Sequence, residues 1–138
     1  MVQDGIAEIR SKVEEYCAQY AINPAFAISP LADVHQLYVE KREWPFGSVA
    51  GCYAFFSSER ELLYVGKADT AIASRTGTYF RWNEDRTSVT PQGIWTKPPT
   101  FLQAIKVHKS YKAPSLEAFL IQMLQPPHNV RGIGRISK

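Results

Sequence analysis

Apolar side chains recur at three- and four-residue intervals through residues 4–20, and charged side chains fill most of the positions between them. This period predicts an amphipathic helix that ends near Asn23-Pro24. The pattern of the next two dozen residues is mixed and interrupted by prolines. We therefore expect residues 1–48 to form a helical extension packed on a core domain of residues 49–138.

Two segments rich in aromatic and β-branched residues flank the polar run at residues 57–60, which is the pattern of a β-hairpin. With the turn centred on the middle of this run, Tyr53 and Tyr64 stand opposite each other on one face, where their hydroxyls converge. Gly51 and Gly66, each two residues from a tyrosine, indicate close approach of a ligand or another backbone. The simpler interpretation is a core hairpin that uses tyrosine for packing.

A helix is predicted after the hairpin, from a cap at Asp69 or Thr70 to about Phe80. Arg75 and Tyr79 lie four residues apart in it and therefore share a face. Residues 81–99 are polar and rich in proline, which predicts a long loop. Its charged and aromatic side chains suit a nucleic-acid contact or a lid over the core equally well.

The last two predicted elements are a strand over residues 100–108 and a helix from Pro114 to about Leu124. The strand is apolar almost throughout, which is typical of a strand buried on both faces. In the helix, Glu117 falls on the apolar stripe, where a carboxylate is costly unless it is paired or bound to a metal. The alternative is that Glu117, in the first turn, only favours the helix dipole.

The composition narrows the class of protein. Hydrophobic residues make up 45% and charged residues 21% of the chain, as in an ordinary globular protein. No apolar run reaches the roughly 18 residues of a membrane span, and the amino terminus does not resemble a secretory signal. Cys17 and Cys52 have neither metal-ligand spacing nor the density of a disulfide scaffold. We expect a cytoplasmic protein with reduced thiols and no membrane partner.

Charge is distributed unevenly along the chain. Residues 1–60 carry five Lys/Arg against eight Asp/Glu, whereas residues 61–138 carry eleven against five. A basic half with interleaved aromatic residues fits phosphate contacts with a nucleic acid, although an ordinary solvated surface explains the same imbalance. The candidate nucleic-acid-binding side chains are Lys67, Arg75, Arg81, Arg86, Lys106, His108, Lys109 and Arg131.

A set of residues spread over about residues 49–132 resembles the motif set of the GIY-YIG endonuclease superfamily: Gly51-Cys52-Tyr53, Tyr64-Val65-Gly66, Lys67, Arg75, Tyr79, Glu117 and Asn129. Cys52 stands where isoleucine is usual, and a small apolar thiol pointing away from Tyr53 substitutes with little loss. The resemblance implies an α/β (α+β) fold with a central three-stranded antiparallel β-sheet flanked by helices. The N-terminal helix is extra to that core.

The resemblance also implies a metal-dependent endonuclease that hydrolyses DNA phosphodiester bonds, with RNA left open as a substrate. Glu117 is the only carboxylate that the sequence places near the site, which suits one Mg²⁺ or Mn²⁺ rather than two. Tyr53 is assigned as the general base and Tyr64 as the residue that positions water or phosphate, and the two are exchangeable. Lys67, Arg75 and the metal are expected to lower the tyrosine pKa.

The remaining motif residues are given supporting roles by the same resemblance. Arg75 binds the scissile phosphate through its guanidinium fork, and Tyr79 orients Arg75 or contacts the phosphate. Asn129 organises the site by hydrogen bonds, with His128 as a lesser candidate beside it.

Two other functions are compatible with parts of the same sequence. A catalytically inactive nucleic-acid-binding module of the same fold would need only the basic surface, and the presence of each polar motif residue argues against it. A small-molecule enzyme with Cys52 as nucleophile would need a histidine to activate the thiol, and no histidine lies near Cys52 in the sequence. The oligomeric state stays open between monomer and homodimer, because one site cuts one strand.

Overall fold

The structure, a computed structural model, describes residues 4–130. It is an α+β fold, as predicted. In chain order its elements are α1 (Gly5–Gln19), β1 (Ala27–Ile28), β2 (Ala32–Asp33), α2 (Val34–Val39), β3 (Gly51–Phe56), β4 (Leu62–Ala68), α3 (Ile72–Thr76), a 3₁₀ turn (Gly77–Tyr79), β5 (Phe80–Trp82), β6 (Val89–Pro91), β7 (Phe101–Lys106), α4 (Lys112–Leu124) and α5 (Pro127–Val130).

Three long antiparallel strands form the centre of the sheet in the order β7, β3, β4, which confirms the predicted three-stranded core. The N-terminal extension adds to it, because β1 and β2 both pair with the free side of β7. The sheet therefore has five strands, and β4 remains at its edge. Among the described residues, every helix is too short or too polar to cross a membrane.

The register of the central hairpin differs from the predicted one. Tyr53 pairs with Gly66, and Tyr64 pairs with Phe55. The two tyrosines are thus two residues out of direct opposition. They still share a face of the sheet, because a shift of two residues leaves side-chain direction unchanged.

Two separate one-residue departures produce this shift. The turn is one residue longer than predicted, since the Ser57 N–H donates to the Glu61 carbonyl at 2.9 Å. A β-bulge then leaves Leu63 without a partner in β3. Either departure alone would turn Tyr64 to the other face, and together they return it.

The sheet is buried on both faces. One hydrophobic cluster lies between the sheet and helices α1 and α4, and it includes Val13, Cys52 and Leu116. The other lies on the side of α2 and α3, and it includes Leu37, Phe55 and Ile72. Tyr53 and Tyr64 belong to the second face, whereas Lys67, which pairs with Cys52, points to the first.

Helix α1 has the bounds that its apolar period predicts, and the Asp4 carboxylate caps it by accepting from the Ile6 N–H at 3.0 Å. It packs on α4. The Tyr16 hydroxyl donates to Ser115 Oγ at 2.8 Å, and the Tyr16 ring meets that of Phe119 edge-on, with 5.4 Å between ring centroids.

The N-terminal segment also contacts the other side of the sheet. The carbonyls of Gly47 and Val49 accept from the Ala73 and Ile72 N–H groups, which satisfies the first donors of α3. The Tyr38 hydroxyl donates to the Gly77 carbonyl at 2.9 Å.

Two sequence predictions are wrong in detail. The helix after the hairpin is short, starts from Ala71 without a side-chain cap, and continues only as the 3₁₀ turn. Asp69 instead forms an ion pair with Lys67. The predicted loop over residues 81–99 contains a two-stranded hairpin, β5 and β6, in which Phe80 pairs with Pro91.

Candidate active site

The side chain of Tyr53 crosses the neighbouring strand at Gly66. A Cβ atom built on Gly66 would overlap the ring and hydroxyl of Tyr53. The close approach that the glycine predicts is therefore that of a tyrosine ring from within the protein. By crossing at Gly66, the Tyr53 side chain places its hydroxyl over β4, toward the edge of the sheet.

Three tyrosine hydroxyls form a chain at this edge. The Tyr53 and Tyr79 hydroxyls are 2.8 Å apart, and the Tyr79 hydroxyl donates to that of Tyr64 at 3.4 Å. Tyr53 has no exposed surface, whereas Tyr64 and Tyr79 are half-buried. The predicted convergence of Tyr53 and Tyr64 thus occurs through a third phenol.

An open cleft of about 670 Å³ lies beside this chain. It brings together five of the seven predicted catalytic residues, and five further residues that the sequence analysis did not assign to the site also line it. The predicted residues are Tyr53, Tyr64, Lys67, Arg75 and Glu117, and the others include Asp69, Thr70 and Ser74.

Burial raises the pKa of all three tyrosines. That of Tyr53 rises to about 12, and the Tyr79 hydrogen bond and Arg75 oppose the rise without cancelling it. The pKa of Tyr64 is also raised, first by burial, then by Tyr79 and by the negative charge of Glu117. The expectation that Lys67 and Arg75 lower the tyrosine pKa is therefore wrong for the protein's own groups, because desolvation of the phenolate outweighs Arg75.

Arg75 extends from the last turn of α3 into the cleft. Its side chain is exposed, and the guanidinium carbon lies 5.7 Å from the centroid of the Tyr79 ring. Electrostatic interaction with Tyr79 and then with Tyr53 raises the pKa of Arg75. The permanently charged guanidinium of Arg75, with the Tyr79 ring beside it, therefore faces the open cleft.

Glu117 approaches the cleft from α4, on the opposite wall to Arg75. It is half-buried, and desolvation raises the pKa of its carboxyl, while Lys67 opposes that shift. In residues 4–130, no three His, Cys, Asp or Glu side chains gather into a metal-binding cluster. One half-buried carboxylate beside open space fits a hard divalent cation that keeps most of its water ligands.

Asp69 is a second carboxylate on the cleft wall, which sequence reasoning missed. Its two oxygens accept from the Lys67 ammonium at 2.9 and 3.0 Å. This hydrogen bond is the first cause of the raised pKa of Lys67, and the charge of Asp69 raises the pKa of Glu117. The only signal in the sequence is an acidic residue two positions after Lys67, a position that also fits a helix cap.

Asn129, on α5, binds the backbone of β4 from outside the sheet. Its Nδ2 donates to the Val65 carbonyl at 2.9 Å, and its Oδ1 accepts from the Val65 N–H at 2.8 Å. Because Val65 lies between Tyr64 and Gly66, the amide fixes the backbone that carries both. Asn129 thus holds β4 in position and does not itself line the cleft.

His128 is buried beside it, with 2% exposure. Its Nε2 accepts from the Thr96 N–H at 3.1 Å, and its ring lies 4.8 Å from that of Trp95. Trp95 in turn contacts the rings of Tyr64 and Tyr79. Both residues therefore support the tyrosine chain from behind, a role that the sequence did not reveal for Trp95.

The predicted nucleic-acid-binding residues fall into separate groups. Lys67 and Arg75 line the cleft. Lys106, His108 and Lys109 are exposed at the end of β7. Arg81 and Arg86 are exposed on the β5–β6 hairpin and do not line the cleft, and Arg131 lies outside the described residues.

Cys52 faces away from the tyrosines, as predicted. Its thiol is fully buried under α4 and donates to the Ala113 carbonyl at 3.3 Å. Burial and the charge of Glu117 raise the pKa of the thiol well above its usual range. A protonated, inaccessible thiol does not act as a nucleophile, which argues against the small-molecule enzyme.

Comparison with known proteins adds an independent observation. A family model of UvrC-like GIY-YIG domains matches residues 49–130. The chain is similar to UvrABC system protein C of Helicobacter pylori strain J99, with 38% identity over 89 residues. It is also similar to the proteins of that name from Borrelia duttonii, with 27% identity over 99 residues, and Helicobacter acinonychis, with 34% over 87.

These matches concern one domain. They cover 60%, 71% and 59% of this chain, but only 15%, 15% and 14% of the respective relatives. The matched domain supports a nuclease, while the substrate and partners of the whole relatives do not transfer with it.

Proposed function

We propose that this chain, which belongs to the GIY-YIG endonuclease superfamily, is a metal-dependent endonuclease that hydrolyses DNA phosphodiester bonds. The observation that carries the proposal is the cleft in which Tyr64, Arg75 and Glu117 meet from three different elements. A phenol, a guanidinium and a carboxylate on facing walls can receive a phosphodiester, a water molecule and a cation together.

Arg75 binds the scissile phosphate. Its planar fork matches two phosphate oxygens, and its charge opposes the negative charge that develops there as the bond breaks. The Tyr79 ring beneath the guanidinium restricts its orientation. Lys67 contributes a second positive charge once a phosphate competes with Asp69 for its ammonium.

Burial supports Tyr64, rather than Tyr53, as the residue that takes the proton from the attacking water. Both tyrosines line the cleft, but Tyr64 is half-buried, whereas Tyr53 has no exposed surface and its hydroxyl lies 2.8 Å from that of Tyr79. The two assignments predicted from sequence are thus exchanged in this proposal. Tyr53 and Tyr79 hold the Tyr64 hydroxyl in place through the hydrogen-bond chain.

Glu117 would hold the divalent cation, which when bound neutralises the negative charge that raises the pKa of Tyr64 and favours the phenolate. Mg²⁺ is commonly held by one or two carboxylates, water and substrate phosphate. Asp69 is a second carboxylate within the cleft, but its ion pair with Lys67 leaves Glu117 as the proposed ligand.

The test is cleavage of end-labelled single-stranded, nicked, branched and duplex DNA, with an RNA strand in parallel, in Mg²⁺, Mn²⁺ and EDTA. We expect cleavage with either metal and none in EDTA. Glu117→Gln and Arg75→Ala are expected to lower the rate by at least about 100-fold, as losses of transition-state stabilisation do. Wild-type rates in either variant would contradict the site.

The rival function is a catalytically inactive nucleic-acid-binding module. It predicts binding without cleavage under every metal condition, and equal binding by wild type and Glu117→Gln. The form of the product also bears on oligomeric state, since a monomer with one cleft nicks one strand, whereas a homodimer can cut both.

A further inference from the structure

The loop between β7 and α4 contains the most exposed large aromatic side chain of the described residues. Tyr111 is 71% exposed. Its neighbours Lys109 and Ser110 are exposed as well, and the Lys112 ammonium lies 6.0 Å from the centroid of the Tyr111 ring. The ring is thus largely exposed to solvent, with the Lys112 ammonium near it and Lys109 two residues before it in the chain.

The charge of this loop is not compensated. Lys12, Lys67 and Lys97 each form an ion pair with a carboxylate. In the described part of the chain, by contrast, the three lysines near Tyr111 form none, and no acidic residue occurs between residues 101 and 116. Those lysines are Lys106, Lys109 and Lys112.

The loop lies at the same end of the sheet as the cleft. Lys106 pairs with Gly51, which pairs on its other side with Ala68 of the cleft wall, so that their Cα atoms are about 10 Å apart at the usual strand spacing. The Cys52 thiol, opposite Lys67, bonds the Ala113 carbonyl two residues after Tyr111. The start of α4 is thereby fixed beside the cleft.

Helix α4 connects this surface to the reaction centre. Tyr111 precedes Glu117 by six residues, or about 9 Å along the helix axis. That distance corresponds to roughly two or three nucleotides at the rise of about 3.4 Å per stacked nucleotide. Six residues also turn the Tyr111 side chain about 240° around the helix axis from Glu117, so a strand whose phosphate lies at Arg75 and Glu117 passes around the start of α4 to reach Tyr111.

We propose that Tyr111, with Lys109 and Lys112, forms a stacking site for an unpaired nucleotide a few positions from the scissile phosphate. An exposed ring flanked by cations binds a base face and the phosphates on either side of it, which is how proteins hold single strands. A paired base is already stacked and does not offer its face. The proposal rests on the proposed nuclease and names its substrate class: DNA with an unpaired segment near the cut.

The experiment uses the full chain with Glu117→Gln, so that DNA is bound but not cut. Binding of a duplex with a single-stranded tail is compared with that of a blunt duplex by fluorescence anisotropy in Mg²⁺. Tyr111→Ala is expected to weaken binding of the tailed DNA about tenfold, as loss of one stacked base does, and that of the blunt duplex less than about twofold. Tyr111→Phe should retain the preference because it retains the ring.

Two controls isolate the ring from charge and folding. Tyr20→Ala removes a tyrosine that is 53% exposed at the C-terminal end of α1 and should change neither affinity. Lys109→Ala with Lys112→Ala should weaken binding of both DNAs and reduce the salt dependence by about two phosphate contacts.

An equal loss on both DNAs in Tyr111→Ala, or no loss on either, would overturn the stacking site. Failure of the wild type to cleave any DNA would instead overturn the nuclease. In that case a Tyr111-dependent preference for tailed DNA would still support the stacking site.

Discussion

The ring of Tyr53 lies across the backbone of Gly66 on the neighbouring strand, in the space that a side chain at position 66 would occupy. The tyrosine chain depends on this crossing, because it brings the Tyr53 hydroxyl to 2.8 Å from that of Tyr79. Gly66 is thus required because any side chain at this position would displace the ring of Tyr53.

Gly66→Ala is expected to destabilise the fold by about 1–3 kcal/mol through overpacking and to lower cleavage, since the Tyr53 ring must move. Gly77→Ala is the matched control. A Cβ atom there would lie 3.5 Å from the Tyr38 hydroxyl, an ordinary contact. Thermal unfolding and cleavage rates check both, and a Gly66→Ala protein as stable and active as Gly77→Ala would contradict the packing argument.

Tyr16 packs on the side of α4 that faces away from Glu117, and we expect it to fix the position of the helix that carries Glu117. It contacts Ser115 and Phe119, which lie four residues apart on one side of the helix, whereas Glu117 is turned about 200° away from Ser115. We expect Tyr16→Phe and Ser115→Ala each to lower kcat about threefold to tenfold with little change in KM, because small displacements of a catalytic group are costly.

The double variant of Tyr16 and Ser115 should be no worse than the worse single variant, as for two partners in one interaction. Ser115→Thr, which retains a hydroxyl, should retain kcat. Tyr20→Phe on the same helix is the control. Independent, additive losses in the double variant would show that the hydrogen bond does not act as a unit.

A tyrosine base gives the reaction a characteristic pH dependence. Because burial raises the pKa of Tyr64, and that of Tyr53 to about 12, both are protonated at neutral pH. Below the apparent pKa, the phenolate fraction grows tenfold per pH unit, so kcat/KM should rise with a slope of about one. Tyr64→Phe should lose most activity together with this slope, and a pH-independent rate in the wild type would exclude a phenol as base.

The partly desolvated carboxylate of Glu117 is expected to lower the stability of the folded protein at neutral pH. Its folded pKa is raised above the unfolded value, so the unfolded state loses the proton first and stability falls as pH rises through the window between the two. Glu117→Gln should therefore raise Tm by a few degrees at pH 7–8. The difference should vanish below about pH 4, under the ordinary glutamate pKa of about 4.3, and its persistence there would show another cause.

The sequence was sufficient for features that depend on side-chain direction alone. Cys52 faces away from Tyr53 because side chains alternate along one strand. Tyr53 and Tyr64, on different strands, share a face because the longer turn and the bulge together shift the register by two residues. Their exact opposition was wrong, since neither the five-residue turn closed by Ser57 and Glu61 nor the bulge at Leu63 has a distinctive residue pattern.

The sequence does not predict features that depend on contacts between distant segments of the chain. Strands β1 and β2 have two residues each, too few for any period, and exist because β7 offers them a free edge. Asp69 has the composition of a helix cap, but Lys67 lies close enough to bind it. The burial that raises the tyrosine pKa likewise results from the packing of distant segments.

The amide of Asn129 has a consequence beyond the cleft. By accepting from and donating to Val65, it occupies hydrogen-bonding groups that β4 would otherwise offer to the strand of another molecule. A strand at the edge of a sheet, as β4 is, can pair with the same strand of another copy. A single side chain that imitates a neighbouring strand is therefore expected to block pairing of β4 with another copy at Val65.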